Sequence, residues 1–462
     1  MQASTAVSEL LSEVGLPDTA GTVTISGRDP VLPTAFPVGE AAACALAACG
    51  AAAATLHGTN QQVRVDVRRA AASLISFALQ RVEGGGAASE RLDRALIAPY
   101  ECRDGRWVHL HGAFEHLAAG TCRVLGIAGT DADDPEVVGR AVRSFDAQEL
   151  EDALAAERMC GAMARTAAEW AAHAQGWAMA GRRRVEIDRV GSAPAEPMQR
   201  GSATPLSGIR VLDLTRVLAG PTAGRTLASH GADVLLVNGP RRPNVLPFVV
   251  DTSHGKRSTL LDLEVAEDAA RLRELARRAD VFVNGYRSGA LERHGLGPED
   301  LAALRPGIVY VSVNCYGNRG PWAARPGWEQ LAQTVTGIAS GADPFARPML
   351  IPAAACDYTT GYLAALGVMG ALRRRATEGG SWHVQTSLVQ TAMWLNRLGR
   401  VCDAEAATGF GAVEDLLVTS DSGFGRVHHL PPALEMSVTP PEWELPTAPI
   451  GVHAAAWRSR GG

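Results

Sequence analysis

The sequence predicts an α/β protein with a doubly wound parallel sheet at its core and a smaller α+β region beside it. Three observations carry this. From residue 206 onward, short apolar runs alternate with stretches of helical length, the order that makes parallel strands joined by crossover helices. At 462 residues the chain exceeds the usual reach of one hydrophobic core, so more than one packed unit is expected. Hydrophobic content of 46%, charged content of 20% and 49 glycines belong to ordinary globular enzymes, not to disordered, collagenous or membrane chains.

The N-terminal stretch MQASTAVSELLSEVGLP carries acidic residues and has neither a basic leader nor a long apolar core, so no signal peptide is expected. The alanine-rich run from Ala41 to Leu56 falls short of the ~20 residues needed to span a bilayer and reads as a buried helix. Three glycines, Gly84 to Gly86, read as a linker, with a mobile loop as the other reading. The stretch SAPAEPMQRGSATP between Ser192 and Pro205 mixes Pro, Ser and Gly between two patterned regions. The main boundary is set there, giving units 1–200 and 201–400, with a tail 401–462 that returns to the core.

The second unit opens with the strand GIRVLDLT, a turn at Ala219-Gly220-Pro221, the helical TAGRTLASHG and the strand ADVLLV, a β-α-β order. Strands follow at STLLDL, DVFVNGY and GIVYVSV, separated by the helical EDAARLRELARRA and PEDLAALRP. After Asp357 comes TTGYLAALGVMGALRRRATEGG, a helix closed by glycine, and then the strand-like WHVQTSL. A faint internal repeat joins the halves: helix, polar gap, strand and helix from Gly39 match the same order from Gly361. Two alanine-rich units also look alike by composition alone. In the first copy Ala35, Phe36 and Pro37 stand near the position of Asp357.

Composition excludes several classes. A formal net charge of -5 gives no basic excess for nucleic acid or an anionic membrane, so an anionic ligand needs a local basic pocket. Eight cysteines without a CxxC pair argue against a zinc site or a disulfide scaffold, and reduced thiols in the cytoplasm are expected. The twelve histidines form no HExxH, so no metal is expected, and His254 reads as a loop residue. There is no GxSxG elbow, and the opening that resembles a Rossmann fold lacks GxGxxG.

Asp357 is the residue with the most chemistry to offer. It stands just before a long helix, where aspartate caps backbone amides. The same placement suits an ionised carboxylate that attacks an acyl carbonyl. Both readings stay open on local sequence. Basic residues recur after the strands: Arg241, Arg242, Lys256, Arg257, Arg287 and Arg293. Singly each reads as a solvated charge; together at one sheet edge they suit a phosphorylated ligand.

The stretches GIRVLDLTRVLAGPTAGRTLASHGADVLLV, GKRSTLLDL, VFVNGYRSGALERHGLGPEDLAALRPGIVYVSV, YGNRGPWAARPGW and DYTTGYLAALGVMGALRRR, in this order over residues 206 to 395, resemble the class III CoA-transferase (CaiB/BaiF) family. Residues 98 to 200, with YECRDGRWVHLH, the RAVRSFDAQELEDAL helix and RTAAEWAAHAQG, resemble that family's small domain, and the segment SDSGFGRVHHLPPALEMSV its closing part. The order is that of a permuted chain or of a fusion with a degenerate partial copy. The resemblance implies a Rossmann-like core in an interlocked homodimer, no permanently bound cofactor, and an acyl-CoA and a carboxylic acid as substrates. It places Asp357 at the catalytic aspartate, with an aspartyl-CoA intermediate, and places Val217, Leu218, Lys256, Arg257, Arg287 and Arg293 around the CoA. Glu329 stands where related racemases have an aspartate, and reads either as a residue lining the active site or as a helix-starting surface acid. Backbone amides at the start of the Asp357 helix are expected to steady the oxyanions. Gly285 and Ser288 depart from the family's NFRPG-like loop. Related racemases carry a histidine where this chain has Trp328, which favours transfer. A catalytically inactive CoA-binding subunit is the other alternative.

Overall fold

The computed structural model describes residues 3–84, 94–199, 201–402, 407 and 410–458. Gly85 and Gly86, read as part of a linker, lie outside the described residues.

Among the described residues seven strands build the central sheet: β1 (Glu186–Gly191), β2 (Arg210–Leu214), β3 (Asp233–Asn238), β4 (Lys256–Leu260), β5 (Val281–Asn284), β6 (Val309–Asn314) and β7 (Ser381–Ser387). Their spatial order is β4-β3-β2-β5-β6-β7-β1. All neighbours are parallel except β1, which runs antiparallel to β7 at the edge. The expected parallel core is present, with one antiparallel strand the sequence reading did not place. Register puts Val281 beside Val211 on one side and Val309 on the other.

Both faces of this sheet are buried, which is why its strands read as unbroken apolar runs. Val211, Val234, Val283 and Val311 face one core, while Leu212, Leu235, Phe282 and Tyr310 face a second, under the helix Ala266–Ala276. Six helices matter to the site: α1 (Val38–His57), α2 (Ala219–Ser229), α3 (Leu246–Thr252), α4 (Glu329–Thr336), α5 (Ala355–Glu378) and α6 (Leu388–Arg397). Helix α5 is sandwiched between α2 and α1. Glycine allows the closeness on one side, since a Cβ on Gly361 would sit 2.6 Å from both the Ala219 carbonyl oxygen and the Thr222 Cβ. On the other side Cys49 of α1 places its Sγ 3.1 Å from the Tyr362 carbonyl oxygen.

Two readings are corrected. Ala219-Gly220-Pro221 is the first turn of α2 and not a separate turn, because a helix leaves its first amides unpaired and tolerates proline there. The RAVRSFDAQELEDAL segment is two helices, Pro135–Val142 and Ala147–Ala156. The break is fixed by Glu149 accepting the Asp146 N–H at 3.4 Å and by Arg103 donating to the Ser144 carbonyl at 2.8 Å. Strand β1 lies before the 192–205 segment yet completes the sheet built after it, and α1 packs on α5 across it. The repeated order is visible as helix α1, strand Val63–Asp66 and helix Val67–Ser73 against α5, β7 and α6.

Candidate functional site

Strand order reverses between β2 and β5, and in parallel sheets a crevice opens at the carboxyl ends of such strands. Here the loop after Leu214 and the loop Gly285–Ala290 form its walls. Val217 adopts φ 70, a left-handed conformation that a β-branched residue takes only under constraint, and it faces the crevice. The Gly285–Ala290 loop is anchored at its start by Asn284, which accepts the Tyr286 N–H at 2.8 Å and donates to the Tyr310 hydroxyl at 2.9 Å. The resulting cavity is about 640 Å³, and the 98–192 region closes it with Phe114, His116, Arg158 and Cys160. Trp328 bridges the two regions, stacked on His111 at 4.3 Å and tilted against Phe114 at 5.3 Å. An adjoining cavity of about 240 Å³ runs toward the end of β3 and shares Leu214, Arg242, Tyr286 and Arg293 with the first.

Asp357 lies in the first turn of α5, is 8% exposed and lines the large cavity. It does not cap its own helix. That role belongs to Glu329 of α4, whose two carboxylate oxygens accept the N–H groups of Cys356 at 2.8 Å and Asp357 at 3.1 Å. Gln333 holds Glu329 in turn, donating at 3.0 Å, and accepts the Ile351 N–H at 2.8 Å. The amides expected to steady oxyanions are therefore already committed.

Two buried carboxyl groups so close cannot both ionise cheaply. Burial pushes Glu329 up to about 7 against the opposing hydrogen bonds. Burial, then the neighbouring Glu329, hold Asp357 well above the usual carboxylate range. Glu329 is thus a buried lining residue, not a solvated helix-start acid.

Of the residues expected around a CoA, Val217, Arg287 and Arg293 line the large cavity, while Leu218, Lys256 and Arg257 do not. Leu218 is buried in the apolar core. Lys256 is sealed under α2, donating to Asp213 and to the Pro221 carbonyl, each at 2.7 Å. Gly224 leaves room for that pair, since a Cβ there would meet the Asp213 Oδ2 at 2.4 Å. Arg257 bridges Asp233 at 2.9 Å and the Ala456 carbonyl. These three occupy packing positions outside the cavity lining. Arg241 pairs with Asp262 at 2.6 Å beside the smaller cavity.

Sequence reasoning missed Arg216, Arg158, His116 and Phe114. The Arg216 guanidinium lies 4.9 Å over the Phe114 ring, with its Nε and Nη2 buried and unpartnered. Only its position two residues after the β2 strand signalled it. The sequence treated the 98–200 region as a separate small domain, which concealed the others.

Cys160 and Cys315 also line the cavity. Burial pushes Cys160 up to about 11 and Cys315 well above the usual thiol range, so neither offers a thiolate at neutral pH. His254 is buried between His429 and Trp443, with ring centroids at 4.1 and 4.9 Å, away from the cavity.

The family described as CoA-transferase family III matches this chain twice, over residues 10–192 and 206–408. An acetyl-coenzyme A transferase of Hypoxylon pulicicidum is 35% identical over 334 residues, covering 67% of this chain and 56% of its own length. A succinate–glutarate CoA-transferase of Agrobacterium fabrum is 36% identical over 214 residues, 42% of this chain and 54% of its own. A CaiB/BaiF family protein from Brucella suis, known as a crystal structure, is 28% identical with a TM-score of 0.39, covering 48% of this chain and 65% of that one. The chain spans little more than half the length of these two curated relatives.

Proposed function

The chain belongs to CoA-transferase family III, and from that premise we propose that it moves coenzyme A from an acyl-CoA donor to a carboxylic acid, with Asp357 as the covalent nucleophile. One observation carries this reading. A buried carboxyl with no capping duty faces a cavity walled by arginines that have no acidic partner among the described residues.

The chemistry balances without a net proton. The Asp357 carboxylate attacks the donor thioester carbonyl, a C–O bond forms, the C–S bond breaks and CoA leaves as thiolate. The thiolate attacks the aspartyl carbonyl of the mixed anhydride, forming aspartyl-CoA and releasing the donor's acid. The acceptor carboxylate then attacks aspartyl-CoA, and the thiolate returns to the new acyl carbon, regenerating Asp357. Each attack by Asp357 requires its ionised form, so the proton held in the Asp357–Glu329 pair must leave first. Arg242 and Arg293, shared by both cavities, and Arg287 are assigned to the phosphates of CoA.

The doubled family match supports reading residues 1–200 as a displaced family segment that has lost its acid. At the start of α1 the acid that reaches the helix is Asp29, which accepts the Glu40 N–H at 2.8 Å much as Glu329 serves α5. On the same premise we expect a homodimer in the cytoplasm, which sedimentation velocity and fractionation check.

The test is intact-protein mass spectrometry after mixing with a panel of acyl-CoA thioesters, followed by hydroxylamine trapping and peptide mapping. A CoA-sized or hydroxamate adduct on Asp357, absent in Asp357→Ala, is the expected result. CoA binding without an adduct from any donor points to an inactive subunit. Deuterium entering the α-carbon of a branched acyl-CoA, and lost in Asp357→Asn, points to a racemase.

A further inference from the structure

The first turn of α5 is gripped on a second side, opposite in sequence from Glu329. Tyr358, fully buried next to Asp357, donates its hydroxyl to Asp251 of α3 at 2.7 Å. The same hydroxyl oxygen accepts the Phe77 N–H at 3.3 Å, and the Leu74 carbonyl accepts the Ala354 N–H at 3.0 Å. Asp251 is itself fixed, accepting from Arg225 of α2 at 2.7 Å, and the Arg225 guanidinium lies over the Tyr358 ring. Trp443 completes the clamp by donating to the Arg225 carbonyl at 3.1 Å.

Three separate stretches of chain, α2, α3 and Leu74–Phe77, thus converge on the residue after the acid, and Trp443 backs the first of them. One of them, Leu74–Phe77, comes from the N-terminal region that has no acid of its own at the matching position. A buried, charge-assisted hydrogen bond to a phenol is directional, so it fixes the rotation of the turn about the helix axis. That rotation decides where the neighbouring carboxyl points.

We propose that Tyr358, braced by Asp251 and the Leu74–Phe77 segment, is a positioning residue that aims Asp357 into the cavity and keeps its turn in register with Glu329. The inference rests on the transferase reading for its kinetic consequence, not for its geometry. It gives the Leu74–Phe77 segment a part in the site from outside the cavity lining.

Tyr362, one turn further along α5, supplies the control. It is an equally buried phenol whose hydroxyl donates to Ser73 at 2.9 Å. Tyr358→Phe leaves the Arg225–Asp251 pair intact, and Tyr362→Phe loses one hydrogen bond of the same kind. Two measurements compare the variants. The first is the rate of adduct formation on Asp357 from an acyl-CoA donor. A misaimed nucleophile costs on the order of tenfold or more in Tyr358→Phe, with the donor KM unchanged, and nothing in Tyr362→Phe. The second needs no donor: carbodiimide-driven coupling of an amine to Asp357, located by peptide mapping across pH. The groups facing Asp357 are Glu329, Cys315 and Cys356. A turn that drifts from Glu329 weakens the coupling between the acids, so the labelling midpoint of Asp357 falls by roughly half a pH unit in Tyr358→Phe alone. Equal labelling midpoints in the two variants overturn the proposal, whatever the rates. If the wild-type protein forms no adduct with any donor, the transferase reading fails and the labelling result alone decides the brace.

Discussion

Glu329 accepts the main-chain N–H of Asp357 at 3.1 Å while the two side-chain carboxyls share one buried space. One residue therefore caps the helix that carries the acid and also raises that acid's proton affinity. Capping and titration are linked, and the predictions begin from that linkage.

The rate of adduct formation should rise with pH through the raised range of the Asp357–Glu329 pair, because attack needs the ionised form. Glu329→Gln removes the neighbouring charge but keeps an acceptor oxygen for one amide. The acidic limb of the rate profile should then move to lower pH by about one unit. Stopped-flow quench mass spectrometry across pH reads this directly, and an unmoved limb would show that Glu329 does not govern Asp357.

Lys256 should behave as a core residue. Its ammonium and Asp213 are both sealed from solvent at 2.7 Å. Lys256→Met strands the Asp213 charge and should cost roughly 3–5 kcal/mol, much of it recovered in Lys256→Met with Asp213→Leu. Urea denaturation measures the loss and CoA titration calorimetry the affinity. A variant of normal stability that no longer binds CoA would reverse this assignment.

The arginines should divide sharply. Arg242→Met and Arg293→Met should each weaken CoA binding about tenfold and flatten its salt dependence. Arg257→Met, whose partner is Asp233, should leave CoA affinity unchanged. Equal effects of all three would mean that the cavity walls do not define the phosphate site.

Asp29 offers a test of stability against pH. Burial raises it from 3.8 to about 6, ahead of the hydrogen bonds from Glu40 and Val31 that oppose the shift. A raised folded value means its favourable contribution is complete below pH 3.8 and is lost as pH climbs through 6. Relative to Asp29→Asn, the wild-type protein should lose roughly 2–3 kcal/mol between pH 4 and pH 7. A difference between the two proteins that stays constant with pH would refute this.

Much of the second half was legible because its signals are local. Each strand from GIRVLDLT to WHVQTSL lies within a few residues of its expected place, and Asp357 stands at the predicted helix start. What escaped depends on distant partners. Lys256 reads as a surface cation until Asp213, 43 residues earlier, is folded against it. Phe114 and Arg216 meet only because the 98–192 region folds over the crevice. Strand β1 was hidden because a half-buried edge strand such as EIDRVG lacks the apolar run of a central one.

The packing of α1 against α5 also sets a timetable for synthesis. Chains leave the ribosome from the N-terminus. The alanine-rich surface of α1 is therefore made some three hundred residues before the helix that shields it, and β1 waits about two hundred for β7. The nascent chain therefore carries the face of α1 that α5 covers unshielded through most of its translation. Limited proteolysis of stalled chains should find α1 protected only once residues up to Arg397 have cleared the exit tunnel, and earlier protection would show that it shelters elsewhere first.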